Sequence, residues 1–224
     1  MAKQLNRLCV LGLGERSTSY YISALHSKYH EQLGDFHTFP FLMYQIDFNR
    51  INPFLPNKFD QLIPEMTTVL KSISNFKASQ YLIPNITLHE TLDKIDHHLN
   101  IIHPVHLTIK YCKTHHMDTV VLLGSQYTMS SHYISDALKA EGIDTIKPSV
   151  KEQLKIDEFR TKTYNNKDTK LDFRRYNQLI QTYTKSFPVI TACTELSLHH
   201  NKLNNSKVID MALLQIKTAI TLLV

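Results

Sequence analysis

The feature that most restricts the fold of this chain is a repeated block. LCVLGLG followed by ERSTSYYISALHSKYHEQLG near the start, and TVVLLGSQYTMSSHYISDALKAEG past the midpoint, share one order. Each is an apolar strand, a glycine, a hydroxyl-rich turn and a helix. Matching Gly12 to Gly124 gives an offset of 112 residues, and the same offset carries Thr18 to Ser130 and Tyr21 to Tyr133. A further strand in each half, in YLIPNITLHE and PVITACTELS, keeps a nearly equal offset. The sequence therefore predicts an α/β fold of two similar halves, each a mostly parallel sheet flanked by helices, meeting face to face. The halves are taken as residues 1–105 and 106–204, with 205–224 packing back on the first.

In chain order, a helix is expected from near Ser17 to Gly34, then a strand in FPFLMYQID. Pro53, Pro56 and Pro64 punctuate a loop, after which Met66, Val69, Leu70 and Ile73 recur at helical spacing. A short strand in SQYLIPN precedes an expected helix from about Thr87 to His98. IIHPVHLTIKYCKTHH reads as a strand or turn entering another helix. RTKTYNNKDTK is expected to be a polar surface loop that could serve as a lid. IDMALLQIKTAITLLV is expected to be a closing helix whose surplus apolar face contributes to a subunit contact.

With 224 residues, the chain is long enough for one large domain or two of roughly 110. The 25 Lys and Arg against 20 Asp and Glu are scattered, which gives little support for a nucleic-acid surface and suits a small anionic substrate. Cys9, Cys112 and Cys193 are odd in number and widely spaced, so neither a disulfide framework nor a zinc site is expected, and a reducing cytoplasm is the natural setting. Lys3 and Arg7 before an apolar run superficially resemble a signal peptide, but Leu8 to Leu13 is too short and reads as a buried strand. Nowhere do about 18 apolar residues run together, so no transmembrane helix is expected. GLGERS has Ser17 where a dinucleotide fingerprint needs its third glycine. The doublets His97/His98, His115/His116 and His199/His200 lack HExxH spacing and read as solvated, so no metal is expected.

The chemistry concentrates in VITACTELSLHH. Cys193 stands where a strand hands over to a helix, and free N–H groups with a positive dipole end would lower a thiol from its usual pKa of about 8.5. This makes Cys193 the leading nucleophile or base, with plain buried packing as the competing reading. In open α/β sheets ligands lie beyond the carboxyl ends of the strands. The turns at Ser17/Thr18, Asn85/Thr87, Thr128/Ser130 and Cys193/Thr194 are therefore expected to converge on one cleft whose hydroxyls and N–H groups suit a carboxylate.

GLGERSTSYY, PNITLH, LLGSQYTM and CTEL, in this order and spacing, resemble the aspartate/glutamate racemase family, whose members work without pyridoxal phosphate. The resemblance implies Rossmann-like halves with the active site in the cleft between them. It also implies two cysteines on opposite faces of the substrate that remove and return the α-proton, no cofactor, and a homodimer. Charge developing on the α-carboxylate must be held by donors, each worth roughly 2.7–4 kcal/mol in such sites. Ser17, Thr18, Thr87, Thr128 and Thr194 are the candidates for that role, with Glu195 beside them. Arg50 in QIDFNRI matches a cation for the side-chain carboxylate, with Lys162 or Arg160 as a second. Gln215 stands where a histidine is often found.

The sequence departs from the family at its first cysteine. Aligned on Thr87 and His89, the thiol position falls on Asn85, and with one inserted residue it falls on Pro84. Asn85 and Thr87 are thus the candidates opposite Cys193, and His89 is a possible acid or base. Three readings follow: a racemase acting on aspartate, glutamate or a close relative; a one-base lyase or isomerase on a related dicarboxylate; and a non-catalytic carboxylate-binding protein.

Overall fold

The computed structural model describes residues 8–203 and 205–222, without the side chain of residue 201. Lys3 and Arg7 lie outside the described residues. The chain divides into two units, Met1–His103 with Gln215–Val224, and Pro104–Leu214.

In the first unit, β1 (Leu8–Gly12) is buried along its whole length, as expected of a central parallel strand covered on both faces. It is followed by α1 (Glu15–Leu33), β2 (Phe41–Gln45), two 3-10 turns at Phe48–Arg50 and Asn52–Phe54, α2 (Phe59–Ser74), β3 (Gln80–Leu82) and α3 (His89–Leu92). The sheet order is β2-β1-β3, all parallel, with Leu8 in register with Phe41 and Gln80. α1 buries only Thr18, Tyr21 and Leu25, a single stripe, and ends at Gly34, whose φ of 73° favours glycine. The Met66, Val69, Leu70 and Ile73 stripe of α2 packs in one core with Cys9, Leu11 and Tyr81.

Two expectations need correction here. α2 begins at Phe59, five residues before Pro64, because the Lys58 carbonyl already accepts the Leu62 N–H and opens the helix. Pro64 therefore sits inside the helix, where its missing N–H costs the bond to the Asp60 carbonyl. The helix expected over 87–98 shrinks to α3. Beyond it the chain returns to β3, where Tyr81 donates to the Asn100 carbonyl and accepts from the Ile102 N–H.

The second unit contains α4 (Pro104–Thr114), β4 (Thr119–Gly124), α5 (Gln126–Ser130), α6 (Tyr133–Ala140), β5 (Asp144–Ile146), α7 (Val150–Tyr164), α8 (Lys170–Thr184), β6 (Val189–Ala192), α9 (Thr194–Ser197), α10 (His200–Leu203) and β7 (Val208–Asp210). Its parallel sheet runs β5-β4-β6-β7. Its first three strands repeat the arrangement of the first unit: the first strand lies centrally, flanked by the second and third.

The polar stretch expected to be a lid is mostly helical. Arg160–Tyr164 continues α7, and Thr169 caps α8 in a reciprocal pair with Asp172, so only residues 165–169 form the connection. The C-terminal segment also divides differently. β-branched Val208 and Ile209 pair with Val189 and Ile190 as β7, and only then does α11 (Met211–Thr221) begin. From Gln215 onward the chain belongs to the first unit, where buried Gln215 accepts from the Tyr21 hydroxyl at 2.6 Å and donates to the Ile102 carbonyl at 2.6 Å. Among the described residues no helix is long and apolar enough to cross a membrane. Among them, too, no three His, Cys, Asp or Glu side chains group as metal ligands. The doublet His199/His200 is not solvated: His199 is buried against the rings of Phe159 and Phe173 and bonds Thr163 Oγ1 at 3.3 Å.

Candidate active site

In the second unit, β6 ends at Ala192 and Cys193 is the N-cap of the one-turn α9, in extended backbone conformation. Its carbonyl accepts the Leu196 and Ser197 N–H groups. The thiol donates to Glu195 Oε2 at 2.7 Å. Burial and the Glu195 carboxylate push the thiol well above its usual pKa, while the positive charge of Arg160 acts in the opposite direction. The expected thiolate is therefore not the resting form. A four-residue helix supplies little dipole, and the nearest charge is negative. The arrangement is a thiol and a carboxylate sharing one proton, with Glu195 placed to accept it.

Gly124 at the end of β4 lies in register with Ala192, so the turns following the two strands are neighbours. Ser125 caps α5, its hydroxyl accepting the Thr128 N–H at 3.1 Å and lying 2.9 Å from Thr128 Oγ1. A side chain at 124 would put Cβ 2.8 Å from Thr128 Cγ2, so the glycine lets Thr128 lie over the strand end. Thr194 is buried beside Cys193. The structure thus brings Thr128, Cys193, Thr194 and Glu195 to adjoining strand ends.

Beneath this set, Asp210 terminates β7 and caps α11, its Oδ1 accepting from the Leu213 N–H and the Ser197 hydroxyl, each at 2.9 Å. Burial raises its pKa, and Oδ2 lies 3.6 Å from His200 Nδ1. Tyr176 on α8 stacks on Phe159 with centroids 4.7 Å apart. Burial, with Asp210 nearby, holds its phenol protonated. Sequence reasoning missed Asp210, although an acid in the apolar run VIDMALL just before a helix is an N-cap signature. Tyr176 carried no such signal.

The first unit holds the other predicted residues. Thr18 Oγ1 accepts the Leu13 N–H at 3.0 Å, and the Ser17 hydroxyl donates to the Gly14 carbonyl at 3.1 Å. Asn85 Oδ1 accepts the Leu88 N–H at 3.0 Å, and its carbonyl accepts from His89 Nδ1 at 2.8 Å. His89 is fully buried, and burial with neighbouring His103 lowers its pKa to about 3. It is therefore neutral, with Nδ1 carrying the proton and Nε2 making no hydrogen bond to a described residue. Pro84 is buried and Thr87 half-buried in the same turn.

Two predicted cations are already committed. Arg50 is half-exposed and paired with Glu65. Lys162 bridges Glu158 and Asp172, each at 2.8 Å. It lines a groove of about 620 Å³ between α7 and α8 with Phe159, Arg175 and Tyr176, and Cys193 is not part of that lining. Arg160, two positions earlier on α7, faces another way and is the cation whose charge Cys193 and Glu195 feel.

A family model described as Asp/Glu/Hydantoin racemase matches residues 10–219. The chain belongs to this family. No curated protein matches it significantly in sequence. Among solved structures, a candidate Asp/Glu racemase from Yersinia pestis is 20% identical and superposes with a TM-score of 0.82, covering 97% of this chain and 99% of that one. Aspartate racemase from Picrophilus torridus is 22% identical at a TM-score of 0.74, covering 95% and 93%. Glutamate racemase from Francisella tularensis, in complex with D-glutamate, is 13% identical at 0.62, covering 97% and 81%. At these identities the likeness establishes a shared fold. Membership of the family supports a racemase-type isomerase.

Proposed function

We propose that this racemase-family chain is a pyridoxal-phosphate-independent isomerase that moves the α-proton of aspartate, glutamate or a close relative, with Cys193 as base on one face. The observation that carries this reading is the 2.7 Å Cys193–Glu195 pair beside the hydroxyls of Ser125 and Thr128. The named substrates of the Picrophilus and Francisella proteins point to the same class of compound. In the forward step the Sγ–H proton passes to Glu195 Oε2. The thiolate then takes the α-proton, and the electron pair left on Cα spreads into the α-carboxylate. Donors from Thr128 and Thr194, with Thr18 and with Ser17 once its hydroxyl leaves the Gly14 carbonyl, hold that charge. Arg50 receives the side-chain carboxylate after exchanging it for Glu65. Thr87 and Asn85 stand for the second face. A reducing cytoplasm suits the free thiols, and the family resemblance carries the homodimer.

A one-base lyase or isomerase is favoured by one specific observation: Pro84 and Asn85 stand where the family's first thiol is expected, and Asn85 is engaged in holding its own turn. Chiral analysis after incubation with each enantiomer of aspartate and glutamate separates the readings. Inversion of configuration in either amino acid, lost in Cys193→Ala, supports racemisation. Deuterium uptake with retention from a single enantiomer replaces it with one-base chemistry.

A further inference from the structure

Asp157 takes no part in the proposed proton transfer, yet one of its oxygens serves two groups next to that chemistry. Oδ1 accepts the Gln126 N–H at 3.1 Å and the Arg160 Nε–H at 2.7 Å. Gln126 supplies the first N–H of α5, the turn that carries Thr128, and such an N–H has no partner within its own helix. Arg160 is only 24% exposed, so its charge is poorly screened by solvent. One carboxylate on α7 therefore fixes both the start of the Thr128 turn and the direction of a partly buried guanidinium.

The charged and titratable groups around the Cys193 thiol come from several elements. Glu195 lies in its own turn, and Arg160, with Asp157 behind it, comes from α7. Tyr176 comes from α8, with Asp210 of β7 and His200 of α10 beyond it. Glu195 disfavours a second negative charge. Tyr176 is neutral, and of these groups only Arg160 is cationic at every relevant pH.

We propose that Arg160 is a positioning residue for the thiol: fixed by Asp157, it supplies the positive charge under which the Cys193–Glu195 pair releases a thiolate. The S–H bond breaks and an O–H bond forms on Glu195 Oε2. The pair keeps its single negative charge, which moves from oxygen to sulfur, and Arg160 stays protonated. This inference rests on the thiolate being the working form in the reaction proposed above. Its test needs no amino-acid substrate.

The test is the pH profile of Cys193 alkylation by iodoacetamide in the full chain, read peptide by peptide by mass spectrometry. Cys9 and Cys112 serve as internal controls, since both are buried and burial lifts each thiol to about 11. Arg160→Gln is expected to move the Cys193 midpoint up by about one pH unit or more, a roughly tenfold loss of thiolate below the midpoint. Arg160→Lys, which keeps the charge, is expected to recover most of that shift. Asp157→Asn separates fixing from charge. Deleting a negative group alone would lower the midpoint, whereas releasing Arg160 raises it, and the inference requires the rise. An unshifted profile in folded Arg160→Gln, or a lowered one in Asp157→Asn, overturns it. If Arg160→Gln does not fold, Arg160→Lys still decides, because a midpoint raised as far as about one unit there would contradict a role for the charge. A shift in Arg160→Gln in a protein that exchanges no α-proton would uphold this inference and remove the racemase reading.

Discussion

The turns that follow β3 and β6 occupy corresponding places in two sheets of like strand order, and they hold opposite chemistry. After β6 a thiol and a carboxylate share a proton at 2.7 Å, and the thiol feels the charge of a partly buried arginine. After β3 there is a buried proline, an asparagine whose side chain and carbonyl both hold the turn, and a histidine that burial keeps neutral. A common backbone thus carries a thiol–carboxylate pair in one unit and a turn held by its own asparagine in the other. The difference lies in where the polar side chains are spent: on each other at Cys193 and Glu195, on the backbone at Asn85.

The largest effect expected from breaking this asymmetry is at Cys193. Cys193→Ala should lower the rate of α-proton exchange by about 10⁴-fold or more, since removing the reacting group of a concerted set costs nearly the whole of its contribution. Asn85→Ala should cost about tenfold at most, mainly by loosening its turn. Comparable losses would make the two turns equal partners. A sharper version adds a thiol to the first unit: Pro84→Cys leaves the Asn85 bonds in place and should raise exchange from the slower enantiomer. Steady-state NMR rates check both.

Acid stability should distinguish the turns next. His89 has a folded pKa of about 3, below its ordinary value near 6.5, so between these the unfolded chain binds more protons. Stability contributed by neutral His89 is complete above about pH 6.5 and is lost as the pH falls toward 3, on the order of 5 kcal/mol across the window. Urea midpoints measured from pH 7 to 4 should fall steeply in the wild type and more gently in His89→Gln. A parallel slope in both would contradict burial of a neutral imidazole.

The paired glycines give a smaller contrast. Gly124→Ala drives Cβ to 2.8 Å from Thr128 Cγ2 and 3.2 Å from the Ala192 carbonyl, and should cost about 1–3 kcal/mol. Gly12→Ala meets the end of the Gln45 side chain, which can swing away but gives up its bonds to the Leu13 and Ile46 carbonyls. Its cost should be nearer 1–2 kcal/mol, and equilibrium urea unfolding measures both. The smallest expected change is for Lys162→Met. Its two ion pairs hold α7 to itself and to Asp172 of α8, and Cys193 does not line that groove, so exchange rates should stay within about twofold.

The parts of the fold legible in the sequence were those with a continuous local signal. β1 and β4 are buried on both faces and so read as unbroken apolar runs ending in glycine. The α2 stripe was equally plain, but its start was hidden because Pro64 masks a helix nucleated earlier by Lys58. β7 was masked in the same way: VID carries too few residues to show a period, and its strand character comes from pairing with β6. For the site, Cys193, Glu195 and Thr128 stood out because the chemistry lies within short motifs. Arg50 and Lys162 were ambiguous because their partners, Glu65 and Asp172, are set by tertiary packing that spacing does not reveal. Asp210 and Asp157 act through long-range contacts to Ser197 and Gln126, which no local pattern announces.

If the Cys193–Glu195 pair moves the α-proton of an acidic amino acid, solvent deuterium must reach Cα. Deuterium uptake at Cα tests it most directly, followed by NMR with each enantiomer of aspartate and glutamate in deuterated water, for the wild type beside Cys193→Ala and Glu195→Gln. Uptake is expected from at least one of the four amino acids, abolished in Cys193→Ala and reduced at least about tenfold in Glu195→Gln. No uptake from any of the four by the folded wild type, or uptake unchanged in Cys193→Ala, would contradict it.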